Sequence, residues 1–71
     1  MKVYAVIHEG EDRGYLVDVY DTNEHAQEFL DFLYKEYLQT MLNMKFSIEV
    51  AKSKTDYEMS FYHIRPCEVM Q

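Results

Sequence analysis

The chain has 71 residues, enough for one folded domain and too few for two. Hydrophobic residues make up 48% of it and aromatics 15%, which excludes a disordered polymer, since such chains lack the apolar mass to offset the entropy of ordering. Thirteen Asp and Glu against seven Lys and Arg leave a formal net charge of -6, a balance that argues against direct binding to DNA, RNA or an anionic membrane and favours basic partners.

The first element in chain order is a strand over residues 2–8, Lys2 to His8, rich in β-branched and aromatic side chains. Glu9, Gly10, Glu11, Asp12, Arg13 and Gly14 follow as an acidic turn. A second strand runs from Tyr15 to Tyr20, and the two form a hairpin. Strict alternation puts Val3, Ala5 and Ile7 beside Tyr15, Val17 and Val19 on one face, and Tyr4, Val6, Leu16 and Tyr20 with Asp18 on the other. The apolar run near Met1 stops at His8 and is too short to span a membrane, and the lone Cys67 cannot close an internal disulfide. Both features fit a cytoplasmic protein.

Asp21, Thr22, Asn23 and Glu24 mark a helix start, with Asp21 or Thr22 able to cap the first free amides. No Gly or Pro interrupts the chain from there to about Asn43. At ~100° per residue, Ala26, Phe29, Leu30, Leu33, Tyr37, Met41 and Met44 gather on one face that should pack on the sheet. Phe32, Leu38 and Leu42, with Tyr34 at the margin, project away from that stripe, and the outer sheet face adds Tyr4, Val6 and Tyr62. An apolar strip of that kind points to an association surface, with a two-fold homodimer as the expected form.

Residues 45–51 alternate, with Phe46, Ile48 and Val50 inward and Ser47 and Glu49 outward. Lys52 to Asp56 reads as a polar turn. Residues 57–64 alternate again, with Tyr57, Met59 and Phe61 as the inner set. Pro66 ends this strand because it cannot donate to a ladder, and 67–71 is a tail. The expected fold is α+β: a single compact ββαββ domain, two hairpins in one antiparallel sheet with one long helix on one face.

Chemistry-bearing residues are sparse. His63 and Cys67 have three residues between them, but no further Cys or His motif completes the four ligands of a structural zinc site. No nucleophile, base and orienting group fall together, and Gly10 and Gly14 are the only glycines, so no phosphate-cradling loop exists. No catalytic residue, metal or cofactor is expected.

The acids are more informative. Glu24, Glu28 and Asp31 stand at i, i+4 and i+7, on one side of the helix and opposite the core stripe. Side chains at that spacing are ~5–6 Å apart at Cβ, comparable with the ~3.4 Å axial repeat of phosphates on one DNA strand. Asp21 extends the row and Lys35 interrupts it, placed to pair with Asp31. Glu9, Glu11 and Asp12 form a second cluster at the hairpin tip.

With these residues laid out, the chain resembles the small acidic phage-encoded DNA mimics that inhibit the nucleoid protein HU of the host. The likeness lies in size, charge, tyrosine content and hairpin–helix–hairpin order. It implies a homodimeric, host-cytoplasmic inhibitor that occupies the DNA-binding groove of a basic protein, with Asp21, Glu24, Glu28, Asp31, Glu9, Glu11 and Asp12 standing in for phosphates. The alternative is an interaction module that inhibits another host factor, such as RNA polymerase, a nuclease or a defence protein, through its apolar surface.

Overall fold

A computed structural model of the protein describes residues 1–10 and 13–69. Five elements follow one another: strand β1 (Lys2–Glu9), strand β2 (Gly14–Tyr20), helix α1 (Asn23–Asn43), helix α2 (Ile48–Met59) and strand β3 (Tyr62–Glu68). The strands form one antiparallel sheet in the order β2-β1-β3, so β1 is central and both neighbours are edges. The ββαββ expectation is thus overturned in its second half. Two helices and three strands replace one helix and four strands.

The error lies in residues 45–61. α1 ends in a Schellman turn: the Phe46 N–H donates to the Met41 carbonyl at 3.3 Å and the Lys45 N–H to the Leu42 carbonyl at 2.9 Å. Lys45 takes φ 69° there, the left-handed conformation that such a turn demands. Ser47 then caps α2, its hydroxyl accepting from the Val50 N–H at 3.3 Å. The alternation of Phe46, Ile48 and Val50 misleads because Ile48 and Val50 are exposed, while Ala51 and Thr55, four apart, are wholly buried. Lys52 to Asp56 contains no Gly, Pro or Asn to force a turn, and the Thr55 hydroxyl donates to the Ala51 carbonyl at 2.7 Å within the helix. Nor does Pro66 end the last strand. It sits inside β3 opposite Tyr4, tolerated because an edge strand needs hydrogen bonds on one side only.

Register decides which face carries what. Val6 pairs with Asp18, but Ile7 pairs with Leu16, so Val17 is left over in a β-bulge. The slip exchanges Tyr15 and Leu16 relative to strict alternation. One face now holds Tyr4, Val6 and His8 with Tyr15, Tyr20, Tyr62 and Ile64; the other holds Val3, Ala5, Ile7 and Glu9 with Leu16, Val19, His63, Arg65 and Cys67. α1 lies on the first of these, where Val6 has no exposed surface and the Tyr20 and Phe29 rings stand 5.6 Å apart. Tyr4, Val6 and Tyr62, expected outside, therefore face the helix. That choice has a physical reason: the aromatic face offers more area to bury than the short aliphatic one.

α1 is ~31 Å long and β1 ~26 Å. α2 packs on α1, and its Glu58 reaches back to His8, whose strand partner Tyr62 opens β3. The helical hairpin overhangs that end of the sheet, and the molecule measures 49 × 26 × 13 Å across its Cα atoms. Its radius of gyration is 14.1 Å, where a compact chain of this length has ~11 Å. Among the described residues the buried side chains are all small or medium: Ala5, Val6, Ala26, Ala51 and Thr55.

Two substitutions test the helical reading of residues 45–60. Lys52→Pro should cost ~3 kcal/mol by urea unfolding, because it removes an interior hydrogen bond; in a polar turn it would cost far less. Lys45→Gly should stabilise the fold by ~1 kcal/mol in the same measurement, by relieving the left-handed strain.

Candidate functional site

The acids singled out in the sequence divide into two groups that face apart. Thr22 caps α1, its hydroxyl accepting from the His25 N–H at 3.1 Å. This frees the Asp21 carboxylate to bind the His25 ring, Oδ1 to Nδ1, at 2.7 Å. Glu24, Glu28 and Asp31 follow along the outer side of α1, all exposed. Among the described residues no ion pair ties any of these three to a cation, and Lys35 does not reach Asp31. Glu24, in the first turn, also stabilises the helix against its own dipole, so it has a structural role whatever the row binds.

Glu9 is different. It belongs to the sheet face away from α1, where the Arg65 guanidinium lies 3.4 Å from one carboxylate oxygen and the His63 ring 4.0 Å from the other. Its charge is compensated on the spot. Glu11 and Asp12 lie outside the described residues.

Of the helix residues expected at an interface, Phe32 stays 56% exposed, while Leu38 and Leu42 are half-buried. The Tyr34 hydroxyl donates to Asp56 of α2 at 3.1 Å, which raises the phenol above its ordinary range by tying it to a carboxylate. Phe32, Phe29, Tyr20, His25 and Glu28 line a shallow depression of about 410 Å³, so one apolar contact borders the acidic row.

Sequence reasoning missed two features because it missed α2. A groove of about 580 Å³ runs between the helices, lined by Tyr37, Met41, Met44, Phe46, Tyr57 and Lys54, with the Lys54 ammonium 5.1 Å from the Phe46 ring centre. Beside it, His8 is held among Tyr15, Phe61 and Tyr62 and meets Glu58 at 3.3 Å through Nε2, while its Nδ1 is buried without a hydrogen bond. The signal was present: Ser47 as a cap, and Ala51 and Thr55 at helical spacing.

His63 and Cys67 sit on one strand ~13 Å apart, and among the described residues no three His, Cys, Asp or Glu side chains gather as a metal site would require. No described helix is long and apolar enough to cross a membrane.

The Asp21–His25 pair has a definite pH signature. The hydrogen bond that the His25 ring donates to Asp21, then the charge of Asp21, raises His25 above its ordinary 6.5, and the same bond lowers Asp21 below 3.8. For His25 the stabilisation is full below 6.5 and is lost as pH rises through its folded value; for Asp21 it is present above 3.8 and is lost as pH falls through its lowered value. A proton NMR titration of His25 should give a midpoint above 6.5, and Asp21→Asn should return it toward the ordinary value.

Set beside known proteins, the chain matches no family model, and no curated protein and no solved structure is significantly similar to it.

Proposed function

We propose that the chain is a protein-binding domain that mimics DNA: the outer side of α1 occupies the DNA-binding surface of a basic nucleoid protein of the HU type in a host cell and displaces nucleic acid from it. The observation that carries this reading is the row Glu24, Glu28 and Asp31, exposed and without cationic partners among the described residues, on a helix backed by the sheet. At 1.5 Å per residue the three carboxylates span ~10 Å, a length over which a DNA strand presents about three phosphates. The net charge of -6 adds a long-range attraction for a cationic groove. Among the described residues the epitope centres on Glu24, Glu28 and Asp31, with Asp21 engaged by His25 and Glu9 by Arg65; Glu11 and Asp12 lie outside the described residues.

A second reading has its own support. Phe32 stands exposed in the depression with Tyr20 and Phe29, an apolar anchor suited to a partner such as RNA polymerase, a nuclease or a defence protein.

The two separate cleanly. In a fluorescence titration against an HU-type protein, duplex DNA should compete, and affinity should fall at least ~10-fold between 50 and 200 mM salt. Replacing Glu24, Glu28 and Asp31 together by Lys should weaken binding at least ~100-fold while circular dichroism stays unchanged. A folded triple variant that binds normally would falsify the mimic. Binding that is indifferent to salt, unaffected by DNA and lost on Phe32→Asp would instead establish the apolar reading.

A further inference from the structure

The sheet face away from α1 is uncovered. With a thickness of 13 Å across Cα atoms, the fold has room for one sheet and one helical layer at the usual ~10 Å separation and for nothing beyond. Its exposed apolar side chains are Leu16, 60% exposed, and Val19, 43% exposed, with Val3, Ile7 and Cys67 half-covered around them and Ala5 buried between them, while Glu9, His63 and Arg65 lie exposed along the same face. We infer that this face is the contact between two copies of the chain, packed sheet on sheet about a two-fold axis to give a helix–sheet–sheet–helix sandwich.

Four observations select a second copy. The first is area. The chain exposes 5379 Å², where the scaling for folded monomers of 8.6 kDa gives ~4,700 Å². The excess of ~700 Å², shared between the overhanging helical hairpin and the bare sheet face, is of the order of the ~800 Å² that each partner contributes to a standard interface.

The second is charge. A two-fold contact sets a surface against itself, so any net charge on it repels its own copy. This chain carries -6, yet among the described residues the open face holds one acid, Glu9, ion-paired to one base, Arg65, at 3.4 Å, with the partly exposed His63 beside them. Asp18 falls on the other face of the sheet, opposite Val6, and the acidic row of α1 lies on the opposite layer. The face that would meet itself is the one that carries no excess charge.

The third is that the alternative β-sheet route to a dimer is disfavoured. At the β2 edge the Val19 N–H is occupied by the Asp18 carboxylate at 2.8 Å, and the bulge at Val17 breaks the ladder beside it. Along β3, Pro66 removes a donor. Edge-to-edge addition of another strand is disfavoured on both sides, while the face between the edges is open.

The fourth is shape. Aliphatic side chains of modest size on a three-stranded sheet are what aligned sheets interdigitate at ~10 Å. A second copy supplies the same set of side chains in return.

The test is the mass of the full chain by analytical ultracentrifugation, from about 1 to about 200 µM. The expected result is a species of twice 8.6 kDa at the upper concentrations. Leu16→Glu with Val19→Glu, both at exposed positions that a monomer tolerates, should raise the dissociation constant at least ~100-fold. Arg65→Glu, at a side chain 63% exposed, leaves each facing surface with two uncompensated negative charges; it should weaken the dimer ~10-fold at low salt and lose that effect in high salt. Phe32→Asp should leave the mass unchanged. A chain that stays monomeric to the highest concentration overturns the inference, as does a folded Leu16→Glu, Val19→Glu variant that dimerises like the parent. If the double variant is unfolded by circular dichroism, Arg65→Glu decides alone: dissociation reversed by salt supports the face-to-face dimer, and an unaltered mass at every salt concentration refutes it.

Discussion

A single helix laid across a three-stranded sheet is the constraint on which the rest of this structure depends. Three strands at ~4.8 Å spacing are about as wide as one helix with its side chains, so α1 covers one face of the sheet and has nothing left for the other. Val6, at the centre of β1, marks the covered side by its complete burial. Because α1 is longer than the strands, its C-terminal half runs past the sheet and needs separate cover, and α2 supplies it. The close approach of the two helices uses Ala51 and Thr55, whose small side chains vanish into the contact while Ile48, Val50 and Tyr57 stay in solvent. Hence a core in which, among the described residues, no large side chain is fully enclosed, and an elongated molecule.

The charges follow the same division into layers. On the outer side of α1 the carboxylates Glu24, Glu28 and Asp31 stand free, and Asp21 is satisfied by a histidine rather than by Lys or Arg. On the bare sheet face the one acid is answered by Arg65 from the neighbouring strand. Among the described residues the outer side of α1 thus carries unpaired acids and the bare sheet face a compensated pair beside aliphatic side chains, and the two make opposite demands on salt. Raising ionic strength weakens contacts made by the first and leaves contacts made by the second largely intact.

How far the sequence could be read depended on how many patterns each stretch admits. Residues 2–43 admit one: β-branched runs around a glycine-bearing turn, then an uninterrupted helical period after Asp21 and Thr22, and the hairpin and α1 form there. Residues 45–61 admit two. Phe46, Ile48 and Val50 alternate as a strand would, while Ser47, Ala51 and Thr55 cap and space as a helix would. Alternation over so few positions is weak against a cap with a following i, i+4 pair of small residues, and the helix prevails. The candidate site was legible where it depended on helical spacing alone, as with Glu24, Glu28 and Asp31. It was illegible where it depended on pairing across strands, since neither the Glu9–Arg65 contact nor the β-bulge leaves a trace along the chain.

That bulge has the largest consequence for the surface. Without the extra residue at Val17, Tyr15 would lie on the bare face and Leu16 under the helices. With it, Tyr15 stacks on His8 at 5.1 Å between ring centres, completing an aromatic group with Phe61 and Tyr62, and the aliphatic Leu16 joins Val19 outside. A one-residue slip thus sorts the large apolar side chains of β2 between the faces: Tyr15 joins the rings packed around an imidazole where the helical hairpin closes the sheet, and Leu16 joins the aliphatic residues beside Glu9, His63 and Arg65 where nothing does. Tyrosine on the bare face would have brought its own hydroxyl, which needs a hydrogen-bond partner once covered. The aliphatic residues that replace it need only shape and area, and an identical surface can provide both.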